Sequence, residues 1–192
     1  MAINLLKLTT EKLGYEPLKP VSSVNREVNE NANSVAQSVI PSVLAAMLNI
    51  SNTDDGLQKI LHNAGGNWTD DLFGKGSSAI IKNIASYCHC DEERIKSEIN
   101  KVADTSAGII KNHIGQEHDE KSAVKNLLKS QKTQIYDHVP VSLQLGSILN
   151  NEIIDDHTNK MQGPFSTFMH KFGEGFDKPD TDEKLDEKSR NF

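Results

Sequence analysis

The chain has little of what marks secreted or membrane-spanning proteins. Only two of its 192 residues are cysteines, Cys88 and Cys90, and a disulfide between them would close a loop too short to restrain the unfolded chain. Reduced thiols are therefore expected, as in the cytoplasm. No apolar run approaches the roughly 20 residues that a membrane-spanning helix needs, and residues 1–8 lack the charged start and the cleavage site of a signal peptide. The sequence thus predicts a soluble, cytoplasmic protein with no membrane span.

Basic side chains are in the minority. There are 21 of them against 27 acidic side chains, which gives a formal net charge of −6. Such a chain has no broad cationic surface to neutralise a phosphate backbone, so nucleic-acid binding is disfavoured. The length suits one well-buried domain with appendages rather than two cores.

Strand patterns are missing as well, since no stretch shows sustained alternation of apolar and polar residues. Apolar residues instead recur at three- and four-residue spacing, which is typical of helices. From about residue 23 this spacing predicts the main core helix, with Val24, Val28, Ala32, Val35, Val39, Val43 and Met47 on one stripe. Pro41 falls inside the stripe and lacks a backbone donor, so the helix is expected to kink there or to restart as two.

The other apolar clusters predict further helices joined by short loops. A short helix is expected within residues 2–13, and Asn52, Thr53 and Asp54 are candidate caps for the next. The predicted helices that follow are 77–86, 91–102, 104–114 and 124–136, with a restart after Pro140, and Trp68, Leu72, Phe73 and Gly74 lie in a predicted loop before them. The fold class that follows is all-α: a multi-helical single-domain bundle with proline-interrupted helices.

Composition divides the chain into four parts. Residues 1–22 form a short N-terminal helix and linker, and residues 23–150 form the helical core domain. Residues 151–176 are an appended Phe-rich segment. Residues 177–192 are polar and highly charged, with few apolar groups to offset the entropy of ordering, and are expected to be a disordered acidic tail.

Several packing and turn motifs follow one another along the chain. In the run from Val35 to Leu48, an apolar helix holds a proline before small residues. Shorter motifs follow in the order Asp55-Gly56-Leu57, Leu72-Phe73-Gly74, Ser106-Ala107-Gly108-Ile109-Ile110, Val124 to Gln131 and Val139-Pro140 to Leu145-Gly146. This order resembles a bacterial family, the domain of unknown function 937. The resemblance covers roughly residues 28–150 and implies an all-helical domain, but no catalytic residues, because the family has no established reaction.

Helix-proline-helix units recur near Pro41 and Pro140, and this recurrence suggests an internal duplication.

The most chemical-looking cluster is Cys88-His89-Cys90, since two thiolates and an imidazole suit zinc or copper. The spacing does not match a structural zinc site, and a distant histidine would have to complete it. The alternative is a cluster at a helix end with one buried thiol, the environment that free cysteine usually occupies. A cysteine nucleophile is disfavoured, because Asp91 and its acidic neighbours would raise the pKa of a nearby thiol.

Four phenylalanines, Phe165, Phe168, Phe172 and Phe176, are spaced to lie on one helical face. This stripe either docks on the protein's own core or binds a protein partner or a second copy of the chain in a groove. No phosphate-binding loop, nucleophile elbow or kinase motif occurs. The sequence therefore predicts a non-enzymatic protein-interaction domain without a cofactor. The alternative is a protein that binds a small molecule or metal in a pocket near Trp68, Cys88 and Cys90.

Overall fold

Helices occupy most of the chain that can be described. The computed structural model describes residues 3–21, 32–62, 66–115, 117–151 and 154, and within these ranges it contains no strand. The all-α fold class is therefore confirmed. The helices are α1 (Leu5–Lys12), α2 (Ala32–Ile50), α3 (Asp54–His62), α4 (Trp68–Phe73), α5 (Ser77–Cys88), α6 (Glu92–Ile114), α7 (Glu120–Ser130), α8 (Lys132–Tyr136) and α9 (Leu145–Ile148), with 3-10 turns at Gly74–Gly76 and Val141–Leu143.

Helix α2 is the centre of the bundle. It packs against α1, α3, α4, α5, α6, α7 and α8, and its side chains from Val35 to Leu48 are buried except for that of Gln37. A helix that is apolar on nearly every face belongs in a core, as this one does. Pro41 lies inside α2, which is one helix from Ala32 to Ile50, so the helix does not restart there. The predicted kink and the internal duplication stay predictions, and the predicted helix start near residue 23 lies outside the described residues.

Helix α1 belongs to the same core. Leu5 and Leu6 are buried, and the helix packs against α6 and α2. Two polar contacts fix its position, because the backbone N–H of Leu5 donates to Oε1 of Gln131 at 3.2 Å and the Thr9 hydroxyl lies 3.2 Å from that of Ser106. The N-terminal segment is thus joined to the bundle by hydrogen bonds as well as by apolar contact.

Helix α6 differs from the sequence prediction. A break was expected near Asp104, but α6 runs unbroken for 23 residues. Asp104 does not begin a new helix, because its Oδ1 accepts a hydrogen bond from the indole Nε1–H of Trp68 at 2.6 Å. An aspartate inside a helix costs only a fraction of a kcal/mol in propensity, and this long-range contact offsets that cost.

Helix α4 replaces the predicted loop around Trp68. Trp68, Leu72 and Phe73 are buried, and α4 packs against α2, α5 and α6. Gly74 ends it with a positive φ of 50°. Trp68 and Leu72 lie one helical turn apart, and their burial against α2, α5 and α6 stabilises this short helix.

Several helix ends follow from their residues. Thr53 caps α3, since its Oγ1 accepts from the backbone N–H of Gly56 at 3.1 Å, and Asp119 caps α7 by accepting from Ser122 at 3.0 Å. Gly115 ends α6 with φ at 58°, the positive value expected of it. Asp91 precedes α6 but makes no capping hydrogen bond with its side chain.

The predicted helix 124–136 is divided at Gln131 into α7 and α8. Beyond Pro140 the chain returns to the core, where Nδ2 of Asn83 donates to the Leu143 carbonyl at 3.0 Å and Ile154 is fully buried. The chain forms one unit over Met1–Gln162 and a second over Gly163–Phe192. All described residues belong to the first, so the Phe stripe and the acidic tail lie outside them.

Tyr15 gives the α1–α6 contact a measurable signature. Its hydroxyl donates to Glu98, and the Nζ of Lys101 lies 5.5 Å from its ring centroid. Burial, and then the Glu98 carboxylate, raise the pKa of Tyr15 to about 12. Burial also raises the pKa values of Tyr87 and Tyr136.

We expect the tyrosines of the folded protein to ionise above pH 10 when followed by absorbance at 295 nm. The unfolded chain should titrate near pH 10, because its tyrosines are exposed. The stabilisation from a raised tyrosine pKa is fully present below the unfolded pKa of about 10 and is lost as the pH rises through the folded value. Tyr15→Phe should remove the most alkaline transition. Three tyrosines that all titrate near pH 10 in the folded protein would contradict this assignment.

Candidate functional site

The Cys88-His89-Cys90 cluster forms the C-terminal end of α5. Cys88 is the last residue of the helix, and His89 follows in the left-handed region with φ 51° and ψ 48°. This turn lets the backbone N–H of Cys90 donate to the Ala85 carbonyl at 3.0 Å. The His89 side chain is exposed, that of Cys90 is half-buried and that of Cys88 is buried. The arrangement is a helix-end cluster with one buried thiol, the alternative to a metal site that the sequence offered.

The thiol of Cys88 faces the N-terminal half of α2. Its Sγ lies 3.1 Å from the Ser38 hydroxyl and 3.4 Å from the Ser34 carbonyl oxygen, to which it donates. Burial raises the pKa of Cys88 to about 11, and the neighbouring Cys90 adds to the rise, while the Ser38 hydrogen bond and the charge of Arg94 oppose it. At neutral pH the group is therefore a protonated thiol, which is a poor nucleophile and a poor metal ligand.

The described part of the fold brings no metal-binding group of three His, Cys, Asp or Glu side chains together. His62 and His118 line a different part of the surface. The metal hypothesis for Cys88, His89 and Cys90 thus stays a prediction that depends on the sequence alone.

Trp68 does not open onto a pocket. Its side chain is fully buried, and its one polar group donates to Asp104. The polar contacts of Cys88, in contrast, lie on α2. An indole with no exposed surface and a satisfied N–H has no free group for a ligand in this conformation. The predicted pocket near Trp68, Cys88 and Cys90 stays a prediction.

An open groove of about 330 Å³ lies between the end of α3 and the start of α7. Its lining is mostly polar: Gln58, Leu61, His62, Glu117, His118, Asp119, Glu120 and Lys121. This groove could not be predicted from the sequence, because its two sides are distant in the chain and the only local signal is the polar stretch 116–121. Leu61 is the one aliphatic side chain in this lining, so the groove suits polar or cationic groups better than aromatic ones.

Paired carboxylates occupy the first turns of helices, where acidic residues complement the helix dipole. These pairs are Asp54-Asp55 in α3, Asp70-Asp71 in α4 and Glu92-Glu93 in α6. Lys59 joins two of them, with its Nζ 3.0 Å from Asp55 and 3.2 Å from Asp71. Their positions are those of first-turn residues that complement the helix dipole, and the Lys59–Asp71 ion pair also joins α3 to α4.

The four phenylalanines of the predicted partner-binding stripe, Phe165, Phe168, Phe172 and Phe176, lie outside the described residues. No helix in the described part of the chain is long and apolar enough to cross a membrane. Comparison with protein-family models, with curated proteins and with solved structures finds no match. The resemblance to the domain of unknown function 937 over residues 28–150 therefore stays a prediction.

Proposed function

We propose that this chain is a non-enzymatic, cytoplasmic helical domain that acts through protein contacts, made by the stripe of Phe165, Phe168, Phe172 and Phe176. The observation that carries the proposal is the closure of the described core. Its apolar cluster extends from Leu5 to Ile154 and includes Trp68, one of the three residues named for the alternative ligand pocket. Contacts with other molecules are therefore expected at the surface of the chain and at its Phe-rich segment.

The groove between α3 and α7 carries Glu117, Asp119 and Glu120 beside a single leucine. Burying an aromatic face of a partner there would strip water from charges without replacing their hydrogen bonds. A stripe of four aromatic side chains would bury its apolar area more favourably in a partner or in a second copy of the chain, as amphipathic helices do in apolar grooves.

The alternative, a protein that binds a small molecule or metal near Trp68, Cys88 and Cys90, predicts bound mass on the purified protein. Native mass spectrometry after purification without chelators measures both that mass and the number of subunits. A bare monomer or homo-oligomer supports the interaction domain. A retained metal or small molecule that is lost on changing Cys88 and Cys90 to serine would favour the alternative.

Truncation after Gln162 tests the interaction proposal directly. The chain divides into its two units at this point, so residues 1–162 keep the described core intact. We expect the truncated chain to melt within about 2 °C of the full chain, because a change well below 1 kcal/mol shifts the Tm of a chain this long by no more than that. Self-association or partner binding, measured by light scattering after size exclusion, should be lost.

A full-length variant separates the stripe from the rest of the segment. Changing all four phenylalanines to serine should reproduce the effect of the truncation. The matched control changes four intervening polar residues, Ser166, Thr167, His170 and Lys171, to alanine and should leave assembly unchanged. A fall in Tm of about 10 °C or more in the serine variant would mean that the stripe packs on the protein's own core, which would overturn the proposal.

A further inference from the structure

The two thiols at the end of α5 differ in access but lie close together. Cys88 is only 4% exposed, whereas Cys90 is half-buried and can be reached from solvent. The interaction between the two thiols contributes to the raised pKa of Cys88, after the larger effect of burial. A reagent in solution can thus reach the Cys90 thiol, whereas the Cys88 thiol is covered by the protein.

The backbone between the two cysteines brings their Cα atoms to a separation that a disulfide can span. His89 adopts φ 51° and ψ 48°, which is the mirror image of the ordinary helical conformation. Two residues that flank a helical residue of either hand have Cα atoms about 5.4 Å apart, as the rise and radius of the α-helix require. Disulfides span Cα separations of roughly 4.4–6.8 Å. Extended backbone at His89 would place the two Cα atoms at the far end of this range or beyond it.

We propose that Cys88 and Cys90 form a redox site that closes to a reversible intramolecular disulfide by exchange with low-molecular-weight disulfides such as glutathione disulfide. The half-buried, solvent-accessible Cys90 reacts first: its thiolate attacks one sulfur, the sulfur–sulfur bond of the reagent breaks, and one glutathione thiolate leaves. The thiolate of Cys88 then attacks the Cys90 sulfur and expels the second glutathione. The protein pair loses two electrons and two protons, and glutathione disulfide gains them to become two glutathione thiols.

The surroundings of Cys88 determine the rate of the second step, in which its thiolate attacks the Cys90 sulfur. Because burial holds the pKa of Cys88 at about 11, little of it is thiolate at neutral pH, and closure is slow there. Arg94 is the cation that favours the thiolate. Ser38 contacts the sulfur from α2, and the acidic Asp91, Glu92 and Glu93 begin the next helix. As long as the pH is below the pKa of Cys88, the rate of closure should rise roughly tenfold for each unit by which the pH is raised.

Closure also changes the contact between α5 and α2. The disulfide has no S–H, so the Ser34 carbonyl oxygen loses the hydrogen bond that Cys88 donates at 3.4 Å. The sulfur must also turn from the Ser38 hydroxyl toward Cys90. Oxidation is therefore expected to lower the melting temperature rather than raise it, since the closed loop is too short to restrain the unfolded chain.

The test uses the full-length protein in buffers of defined glutathione and glutathione disulfide, quenched with acid and N-ethylmaleimide and analysed by intact mass. The wild type should lose two hydrogens without retaining glutathione, and peptide mapping should join Cys88 to Cys90. Cys88→Ser should stop at a single glutathione adduct on Cys90. Cys90→Ser is the matched control and should remain unmodified, because its remaining thiol is buried.

Three outcomes would overturn the proposal. They are a stable glutathione adduct on the wild type, a disulfide between two chains, and no oxidation of the wild type under conditions in which Cys88→Ser is glutathionylated. The wild-type mass alone decides between closure and an adduct, so the test does not depend on whether the serine variants fold. The rate of closure between pH 7 and pH 9 gives the second measurement, and a rate independent of pH would contradict the role of Cys88 as the second attacking thiol.

Discussion

Gly56→Ala is expected to lower the free energy of unfolding by about 3 kcal/mol, which overpacking against backbone can reach. A Cβ built on Gly56 would lie 2.6 Å from the carbonyl carbon of Ile50 and closer still to its oxygen. That oxygen cannot move aside, because it accepts hydrogen bonds from the backbone N–H and the Oγ1 of Thr53, each at 3.0 Å. The clash therefore separates the start of α3 from the end of α2.

Gly108→Ala is the matched control, since Gly108 lies inside α6 and a Cβ there meets nothing within 4 Å. It should stabilise the protein by roughly 0.5–1 kcal/mol, the usual gain from replacing a helical glycine by alanine. Urea unfolding followed by circular dichroism measures both changes. Equal effects of the two substitutions would show that the turn between α2 and α3 is not packed as described.

Much of the fold could be predicted from local pattern. The stripe of α2, the helix of α5 and the end of α6 at Gly115 each follow from residues a few positions apart, and each is present in the structure. Local spacing suffices there because the same periodicity that makes a helix also turns one face toward the core.

Two of the failures share a physical cause. A loop was expected around Trp68 and a helix break near Asp104. Both positions are instead helical, and they are joined by one hydrogen bond between these two residues, which are 36 positions apart. Local propensity gives no information about such a contact, so α4 was missed and α6 was divided. A tertiary contact of this kind outweighs propensities of a few tenths of a kcal/mol.

The candidate sites show the same limit. The cysteine pair was visible in the sequence, but the burial of Cys88 depends on Ser34 and Ser38, 50 or more positions earlier. The groove between α3 and α7 depends on two segments about 55–60 residues apart. Residue types identified the first site, and only the packing of helices could define the second.

Trp68→Ala is expected to destabilise the protein by about 3–5 kcal/mol, the usual cost of removing a large aromatic side chain from a core. Trp68 is fully buried at the point where α4 packs against α2, α5 and α6. For a chain of this length the loss corresponds to a fall in Tm of roughly 6–20 °C. Differential scanning calorimetry measures it, and a fall below 2 °C would mean that the indole is not part of the core.

The hydrogen bond to Asp104 can be separated from the packing of the ring by a double-mutant cycle. Asp104→Ala should cost about 1–3 kcal/mol, because it removes the acceptor of the Trp68 N–H. Trp68→Phe removes the donor while keeping an aromatic ring, and Asp104→Ala should cost much less in that background. Trp68 is the only tryptophan, so its emission maximum reports whether the indole stays buried in Asp104→Ala. If Asp104→Ala costs as much in the phenylalanine background, the carboxylate stabilises α6 by itself and does not hold α4 against it.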